Sequence, residues 1–132
     1  MDIKLKKAIE NYKQNIKEFK ETGFSKHQIN EIKEGIEQGL DDVSINKYAK
    51  PEFNWLQMVQ IKAGLCLDLN VDKYANPKFN DNQMAQIRYG LEKGIDVTKY
   101  ADPKFNWKQM LIIREGLEQG LNVSAYANPD IN

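Results

Sequence analysis

The sequence predicts an all-α protein: a short α-solenoid in which long and short helices alternate, preceded by an N-terminal capping helix. Three observations predict this fold. A string of eleven residues that opens with Tyr-Ala recurs at a fixed spacing, the same helix-start signal lies in each copy, and apolar residues then recur every three or four positions. A fixed period of roughly 20 to 50 residues is typical of stacked repeats, and apolar residues at helical spacing form one buried face.

The first predicted element is the capping helix, assigned to residues 1–23. The segment "DIKLKKAIENYKQNIKEFKETG" places its apolar residues on one face and ends at Gly23. Those apolar residues are Leu5, Ile9, Tyr12, Ile16 and Phe19. A terminal helix of this kind covers the open apolar end of a repeat stack, and we expect it to do so here.

Four repeats are predicted after the capping helix, at about 24–52, 53–78, 79–104 and 105–132, the last ending in a partial unit. Their marker is a tyrosine followed by alanine every 26 residues, at Tyr48, Tyr74, Tyr100 and Tyr126. The first repeat contains "SKHQINEIKEGIEQGL", which parallels "NWKQMLIIREGLEQGL" in the fourth. It also carries three additional residues near positions 41–46.

Each repeat is expected to contain one long helix that begins with a capping box. The N-cap is Ser or Asn, a Gln three positions later can bond back to its amide, and a preceding Phe forms a hydrophobic staple with the residue four after the cap. The N-caps are Ser25, Asn54, Asn80 and Asn106. The predicted stop signals are left-handed glycines at Gly39, Gly94 and Gly120. Asp68 replaces this glycine in the second repeat, so that helix end is expected to be the least well formed.

A second glycine inside each long helix predicts close approach by the backbone of a neighbouring helix, because glycine has no side chain. These glycines are Gly35, Gly64, Gly90 and Gly116. In the links between long helices, Asn70 and Asp96 are each expected to cap a short helical turn. Pro77 and Pro103 are each expected to open a second turn.

Composition and motifs exclude several functional classes. Lys plus Arg (19) balances Asp plus Glu (19), so no net charge attracts nucleic acid or an anionic membrane. Cys66 and His27 are the only residues of their types, and no glycine-rich phosphate loop occurs. The N-terminus has no apolar run that fits a signal peptide or a membrane span. We therefore expect a cytoplasmic protein that is not an enzyme and has no metal or cofactor.

A basic side chain occupies the same place in every long helix. This basic row consists of Lys33, Lys62, Arg88 and Arg114. One interpretation is contact with phosphates or with carboxylates of a partner. The interpretation we favour is structural, because a position that every repeat keeps is usually needed for stacking: the stems would pack beside the core and the charged groups would bond a neighbouring helix end.

A second set of residues is defined by variation between repeats. The first helical position holds Lys26, Trp55, Asp81 or Trp107, so it should be open to solvent. In the second and fourth repeats the tryptophan is followed four residues later by an aliphatic residue, Val59 or Leu111, and Ile112 adjoins the latter. Exposed tryptophan beside aliphatic residues indicates a protein-binding hot spot. The alternative is that each indole folds onto an adjacent repeat.

Residues 74–97, "YANPKFNDNQMAQIRYGLEKGIDV", carry a resemblance to a known repeat. They are similar to the pattern Y-A-D/N-P-x-F-x-x-x-Q-M-x-x-I-R-x-G-L-E-x-G-L-D/N-V, which occurs in tandem in uncharacterised proteins of Firmicutes and of their phages and plasmids. The resemblance covers about residues 24–130, and the first repeat departs from it at Ser25, His27 and Ile29. It implies a mobile-element setting, in which small proteins often inhibit a host enzyme such as a CRISPR nuclease.

The sequence thus favours a non-enzymatic module that binds another protein, with Trp55 and Trp107 as anchors. The alternative is a nucleic-acid binder that uses the basic row and the N-terminal helix, since residues 1–26 contain seven Lys against four acidic residues. A structural role within a larger assembly is the third expectation.

Overall fold

The computed structural model of the protein describes residues 1–10 and 21–130. All regular structure in these residues is helical, without strands, so the predicted all-α class is confirmed. The α-helices described are α1 Ile3–Glu10, α2 Lys26–Glu37, α3 Asp42–Asn46, α4 Trp55–Cys66, α5 Asp81–Glu92 and α6 Trp107–Glu118. Two 3₁₀ helices, Val71–Lys73 and Val97–Lys99, precede α5 and α6 respectively.

The chain forms two compact units, Met1–Cys66 and Leu67–Asn132. The first unit contains α1 to α4, and the second contains both 3₁₀ helices, α5 and α6. Across residues 1–10 and 21–130, none of the helices combines the length and the apolar content that crossing a bilayer requires.

The long helices begin where the capping boxes predict. In α5 the Asn80 side chain accepts a bond from the Gln83 amide at 2.8 Å, and the Gln83 side chain accepts one from the Asn80 amide at 2.9 Å. The same reciprocal bonds start α2, α4 and α6. Each box satisfies two backbone donors that would otherwise have no partner in the first turn. The preceding phenylalanines are buried, as the staple requires.

The long helices also end as predicted. Gly39, Gly94 and Gly120 have φ values of 93°, 70° and 73°, the left-handed conformation that glycine adopts without a steric penalty. Asp68 adopts the same conformation with φ of 61°, although its Cβ makes this unfavourable. The end of α4 therefore carries local strain that the other three helix ends lack.

The links contain the short helical turns that the caps predict. Asn70 and Asp96 each accept a bond from the backbone amide two residues later and cap a 3₁₀ helix. In the first repeat the three additional residues convert this turn into the α-helix α3, which Asp41 caps. The second turn, expected at Pro77 and Pro103, is a hydrogen-bonded turn and not a helix, because the chain must leave it extended to reach the next N-cap.

Within each unit, a link tyrosine packs against the long helix that precedes it. Tyr48 and Tyr100 are fully buried, and their hydroxyls donate to the backbone oxygens of Glu31 at 2.9 Å and Gln86 at 2.7 Å. The hydroxyl of Tyr100 lies where a side chain at Gly90 would begin. Gly35 faces Tyr48, and Gly116 faces Tyr126, in the same way. The expectation of close approach by a helix backbone was therefore wrong for these glycines: a tyrosine side chain fills the space.

The N-terminal helix is described over Ile3–Glu10, where Leu5 and Ala8 are buried. It packs against α2, as expected of a helix that covers the first repeat. Ile9 is half-buried. The remaining residues of the predicted apolar face, Tyr12, Ile16 and Phe19, lie outside the described residues.

Candidate functional site

The long helices of each unit pair through equivalent positions, which we count from the N-cap. We call positions 2, 6, 9 and 13 the forward face and positions 1, 5, 8 and 12 the back face. The forward face comprises His27, Glu31, Glu34 and Gln38 in α2 and its C-cap, and Asn82, Gln86, Tyr89 and Lys93 in α5 and its C-cap. The back face comprises Trp55, Val59, Lys62 and Cys66 in α4, and Trp107, Leu111, Arg114 and Glu118 in α6.

In the first unit the back face of α4 contacts the forward face of α2 along its whole length. The Trp55 indole stacks on the imidazole of His27, with 5.3 Å between ring centroids and 27° between planes. The Lys62 ammonium donates to Glu31 and Glu34 at 2.7 Å each. These contacts hold the two helices in one register.

In the second unit α6 packs on α5 in the same register with different chemistry. Arg114 Nε donates to Gln86 Oε1 at 3.0 Å, and its guanidinium lies 5.5 Å from the centre of the Tyr89 ring. At the far end, Lys93 and Glu118 form an ion pair at 3.8 Å. A cation at position 8 therefore bonds an acceptor at position 6 of the preceding helix in both units.

The charged groups of the basic row all have carboxylate partners. Lys33, Arg88 and Arg114 pair with the glutamate four residues later in their own helices, Glu37, Glu92 and Glu118. Lys62 is buried between two glutamates of α2. This geometry agrees with the structural interpretation of the row, except that the partners are side chains of the same or the preceding helix and not helix ends. A phosphate would have to displace these carboxylates.

Electrostatics strengthen the pairing in the first unit. The hydrogen bond from Lys62 holds the pKa of the Glu34 carboxyl below its usual value. Burial by itself lowers the pKa of Lys62, but the bonds to Glu31 and Glu34 outweigh it and leave that pKa raised. Both groups are therefore charged over the neutral pH range, so the pair persists there.

The two tryptophans lie at the rim of the helix pairs. Trp55 is 40% exposed and Trp107 is 37% exposed, so each indole is partly covered by its own unit and partly open. Val59 and Leu111, four residues later on the same back face, are half-buried. Leu56, the next residue after Trp55, is also exposed but lies on the forward face of α4, and the Lys108 ammonium lies 5.8 Å from the centre of the Trp107 ring. The Trp55 indole contacts the preceding repeat through His27, as the packing interpretation expects, and both indoles are partly open to solvent, as the binding interpretation requires.

Ile112 belongs to a different surface from Trp107 and Leu111. It occupies position 6 of α6, on the forward face, and is 57% exposed. Glu31 and Gln86 occupy this position in α2 and α5 and are only 7% and 8% exposed, because the next helix of the unit covers them. The structure therefore brings Trp107 and Leu111 together and separates Ile112 from them.

Sequence reasoning missed the acceptors that pair with the basic row, and it missed Tyr89. The Tyr89 ring is 37% exposed and lies 4.8 Å from the guanidinium carbon of Arg88 and 5.5 Å from that of Arg114. The signal that predicts the acceptors is a correlation between repeats. An acceptor at position 6 is followed by a cation at position 8 one repeat later.

The described residues offer little for catalysis. Residues 1–10 and 21–130 contain no group of three or more His, Cys, Asp or Glu side chains that could hold a metal ion. The Cys66 thiol is exposed and donates to Gln38 Oε1 at 2.9 Å, and His27 is occupied by its stack with Trp55.

Comparison of the chain with protein-family models, with curated proteins and with solved structures gives no match.

Proposed function

We propose that the protein is a non-enzymatic helical-repeat module, a short α-solenoid, that binds another protein through the open edges of Trp55 and Trp107. The observation that carries this proposal is that two indoles at equivalent positions of the two units are each about two-fifths exposed. Tryptophan is enriched among the residues that dominate binding energy in protein interfaces. An indole held on one side and open on the other needs little further ordering on binding.

The local surroundings of the indoles support a protein partner. Half-buried Val59 follows Trp55, and half-buried Leu111 follows Trp107, each four residues later on the same helix face. An apolar centre with polar residues at its edge is the usual composition of a specific protein interface. Stacking on His27 restrains the Trp55 ring, and a restrained anchor loses less rotational freedom when a partner binds.

The charge distribution favours protein over nucleic acid. The cations of the basic row bond glutamates, so they offer no ready set of phosphate contacts. The formal net charge of the chain is zero. Binding to nucleic acid depends on released counterions and therefore on unpaired Lys and Arg.

The resemblance of the repeats to mobile-element proteins adds a more specific proposal. A small protein of that setting with a partly exposed tryptophan in each of its two units suits inhibition of a host defence enzyme, such as a CRISPR nuclease, by occupying one of the surfaces of that enzyme. This part of the proposal rests on the resemblance and not on geometry.

The test uses the protein and its double variant Trp55→Ala/Trp107→Ala as parallel baits in a host extract. A protein retained by the wild type and lost with the double variant is then purified, and its affinity is measured for each single variant. We expect each tryptophan to contribute about 2 kcal/mol of binding. Lys26→Ala and Asp81→Ala, at the same helix position, are the matched controls and should bind normally.

Three results would contradict the proposal. One is that no protein depends on the tryptophans for its retention. A second is binding of a generic duplex or single strand that weakens steeply with salt, which would favour the nucleic-acid alternative. The third is a loss of about 3 kcal/mol or more of folding free energy in either tryptophan variant with unchanged binding, which would make the indoles packing residues.

A further inference from the structure

The forward face of α6 is open along its length. Its residues are Lys108, Ile112, Glu115 and Gln119, and all of them are exposed. The corresponding faces of α2 and α5 are covered by the next long helix of the same unit. The forward face of α6 therefore has the geometry of a helix-packing surface, and the described residues of the second unit leave it uncovered.

The chemistry of this face does not suit another repeat of the same kind. A following repeat would bring Lys or Arg at position 8 against position 6, as Lys62 meets Glu31 and Arg114 meets Gln86. Ile112 cannot accept that hydrogen bond. A cation buried against isoleucine would lose its hydration without gaining a partner, which is strongly unfavourable. The surface that covers Ile112 must be apolar at this point.

The charges around Ile112 identify what fits. Lys108 precedes it by four residues and Glu115 follows it by three, so the apolar centre lies between a cation and an anion on one helix face. A two-fold axis that passes through this centre perpendicular to the helices makes the pair antiparallel, and each contact in it occurs twice. Lys108 would then lie beside Glu115 of the second copy, and Ile112 would lie beside Ile112 of the second copy.

We propose that the forward face of α6 binds α6 of a second copy of the chain, forming a symmetric antiparallel dimer. The face is complementary to itself in charge, and it uses the positions by which the long helices already pack within each unit. The formal net charge of zero means that no long-range repulsion opposes the association of two copies. The proposal goes beyond the proposed function, because Trp55 and Trp107 lie on back faces; the two surfaces share only Lys108, whose ammonium lies 5.8 Å from the centre of the Trp107 ring.

Charge reversal provides a sharp test. We expect sedimentation equilibrium to show the wild type as a dimer that dissociates on dilution. Lys108→Glu and Glu115→Lys should each be monomeric, because each places like charges together at both ends of the interface. Mixed in equal amounts, the two variants should form a heterodimer, since both contacts are then attractive. Lys104→Glu, in the exposed link, controls for the change in net charge and should dimerise like the wild type.

Ile112→Gln tests the apolar centre, because it installs the residue type that α5 carries at this position. It should raise the dissociation constant of the dimer about tenfold or more, since two buried isoleucines are lost from each interface. Circular dichroism of every variant verifies that the helices are intact. A wild type that stays monomeric up to about 1 mM would overturn the proposal. Dimers that survive both charge reversals, or a mixture that stays monomeric, would also overturn it.

Discussion

Replacing Gly90 by alanine tests the tyrosine contact, because two well-founded expectations disagree in sign. Alanine in a helix interior is favoured over glycine by about 1 kcal/mol. A methyl group at Gly90, however, would overlap the Tyr100 hydroxyl and lie 2.8 Å from Val97 Cγ1. Overpacking of this kind costs about 1–3 kcal/mol, and displacing the hydroxyl also loses its bond to Gln86, worth about 1 kcal/mol. We expect Gly90→Ala to destabilise the protein by about 1–3 kcal/mol in net terms.

Urea denaturation, monitored by circular dichroism, measures this loss of folding stability, and a double-mutant cycle assigns its cause. Tyr100→Phe alone removes the hydroxyl and should cost about 1 kcal/mol. In Gly90→Ala/Tyr100→Phe the methyl no longer meets an oxygen, so the double variant should be more stable than the two single losses predict, by about 1 kcal/mol. Gly116→Ala is the matched comparison. Its partner Tyr126 is only half-buried and can move aside, so the loss should be smaller.

A Gly90→Ala protein more stable than the wild type would refute this reasoning. It would mean that helix propensity outweighs the steric overlap at this position, and that Tyr100 moves aside without a loss of stability. Strict additivity of the stability losses of the two single variants would also contradict it, because the methyl group and the hydroxyl would then not compete for the same space.

Three further predictions concern stability. Asp68→Gly should stabilise the protein by about 1 kcal/mol in urea denaturation, because the left-handed conformation at φ of 61° is unfavourable for Asp and free for Gly; an unchanged midpoint would refute the assigned strain. Lys62→Met should lower the free energy of unfolding by about 2 kcal/mol at neutral pH. This loss is smaller than that expected on breaking a fully buried ion pair, because the Glu34 side chain is 40% exposed. Since the pKa of Glu34 is lowered in the folded state, its contribution is complete above the unfolded value of about 4.3 and declines as the pH falls through the lower folded pKa, so the stability difference between the wild type and this variant should shrink in acid. Burial raises the pKa of Tyr48 and Tyr100, so the stability that they support is complete below about pH 10, the unfolded value, and declines above it. The phenolate forms of Tyr48 and Tyr100, resolved from the other tyrosines by NMR, should therefore appear together with unfolding, and a phenolate at either residue in a fully helical protein would contradict this.

The helix boundaries followed from the sequence because their causes are local. A capping box needs only an N-cap and a residue three positions later, so Asn80 and Gln83 are enough to place the start of α5. A left-handed glycine such as Gly94 ends a helix through its own backbone conformation. Asp68 could likewise be identified as the weak helix end, since it is a non-glycine residue at the same place in the repeat.

The contacts between helices could not be predicted from the sequence in the same way, because they depend on residues that are distant along the chain. The sequence shows that Gly90 needs space, but the tyrosine that fills this space comes from the following link and depends on how the chain turns. The variable positions were correctly expected to reach solvent at Trp55 and Trp107. Which face each residue lies on depends on helix pairing, however, and this pairing places Ile112 on a face different from that of Trp107.

The packing of Tyr48 and Tyr100 against the helices that precede them also has a consequence for how the chain folds. The hydroxyl of Tyr48 bonds a residue 17 positions earlier, and that of Tyr100 bonds one 14 positions earlier. Closing a loop of so few residues costs little chain entropy, and proteins rich in contacts between residues close in sequence fold fast. During synthesis, such a long helix would be stabilised by its tyrosine contact as soon as its own link left the ribosome, before the next repeat was synthesised. The next repeat would then pack against an already folded one, and the nascent chain would expose few apolar helix faces that could aggregate.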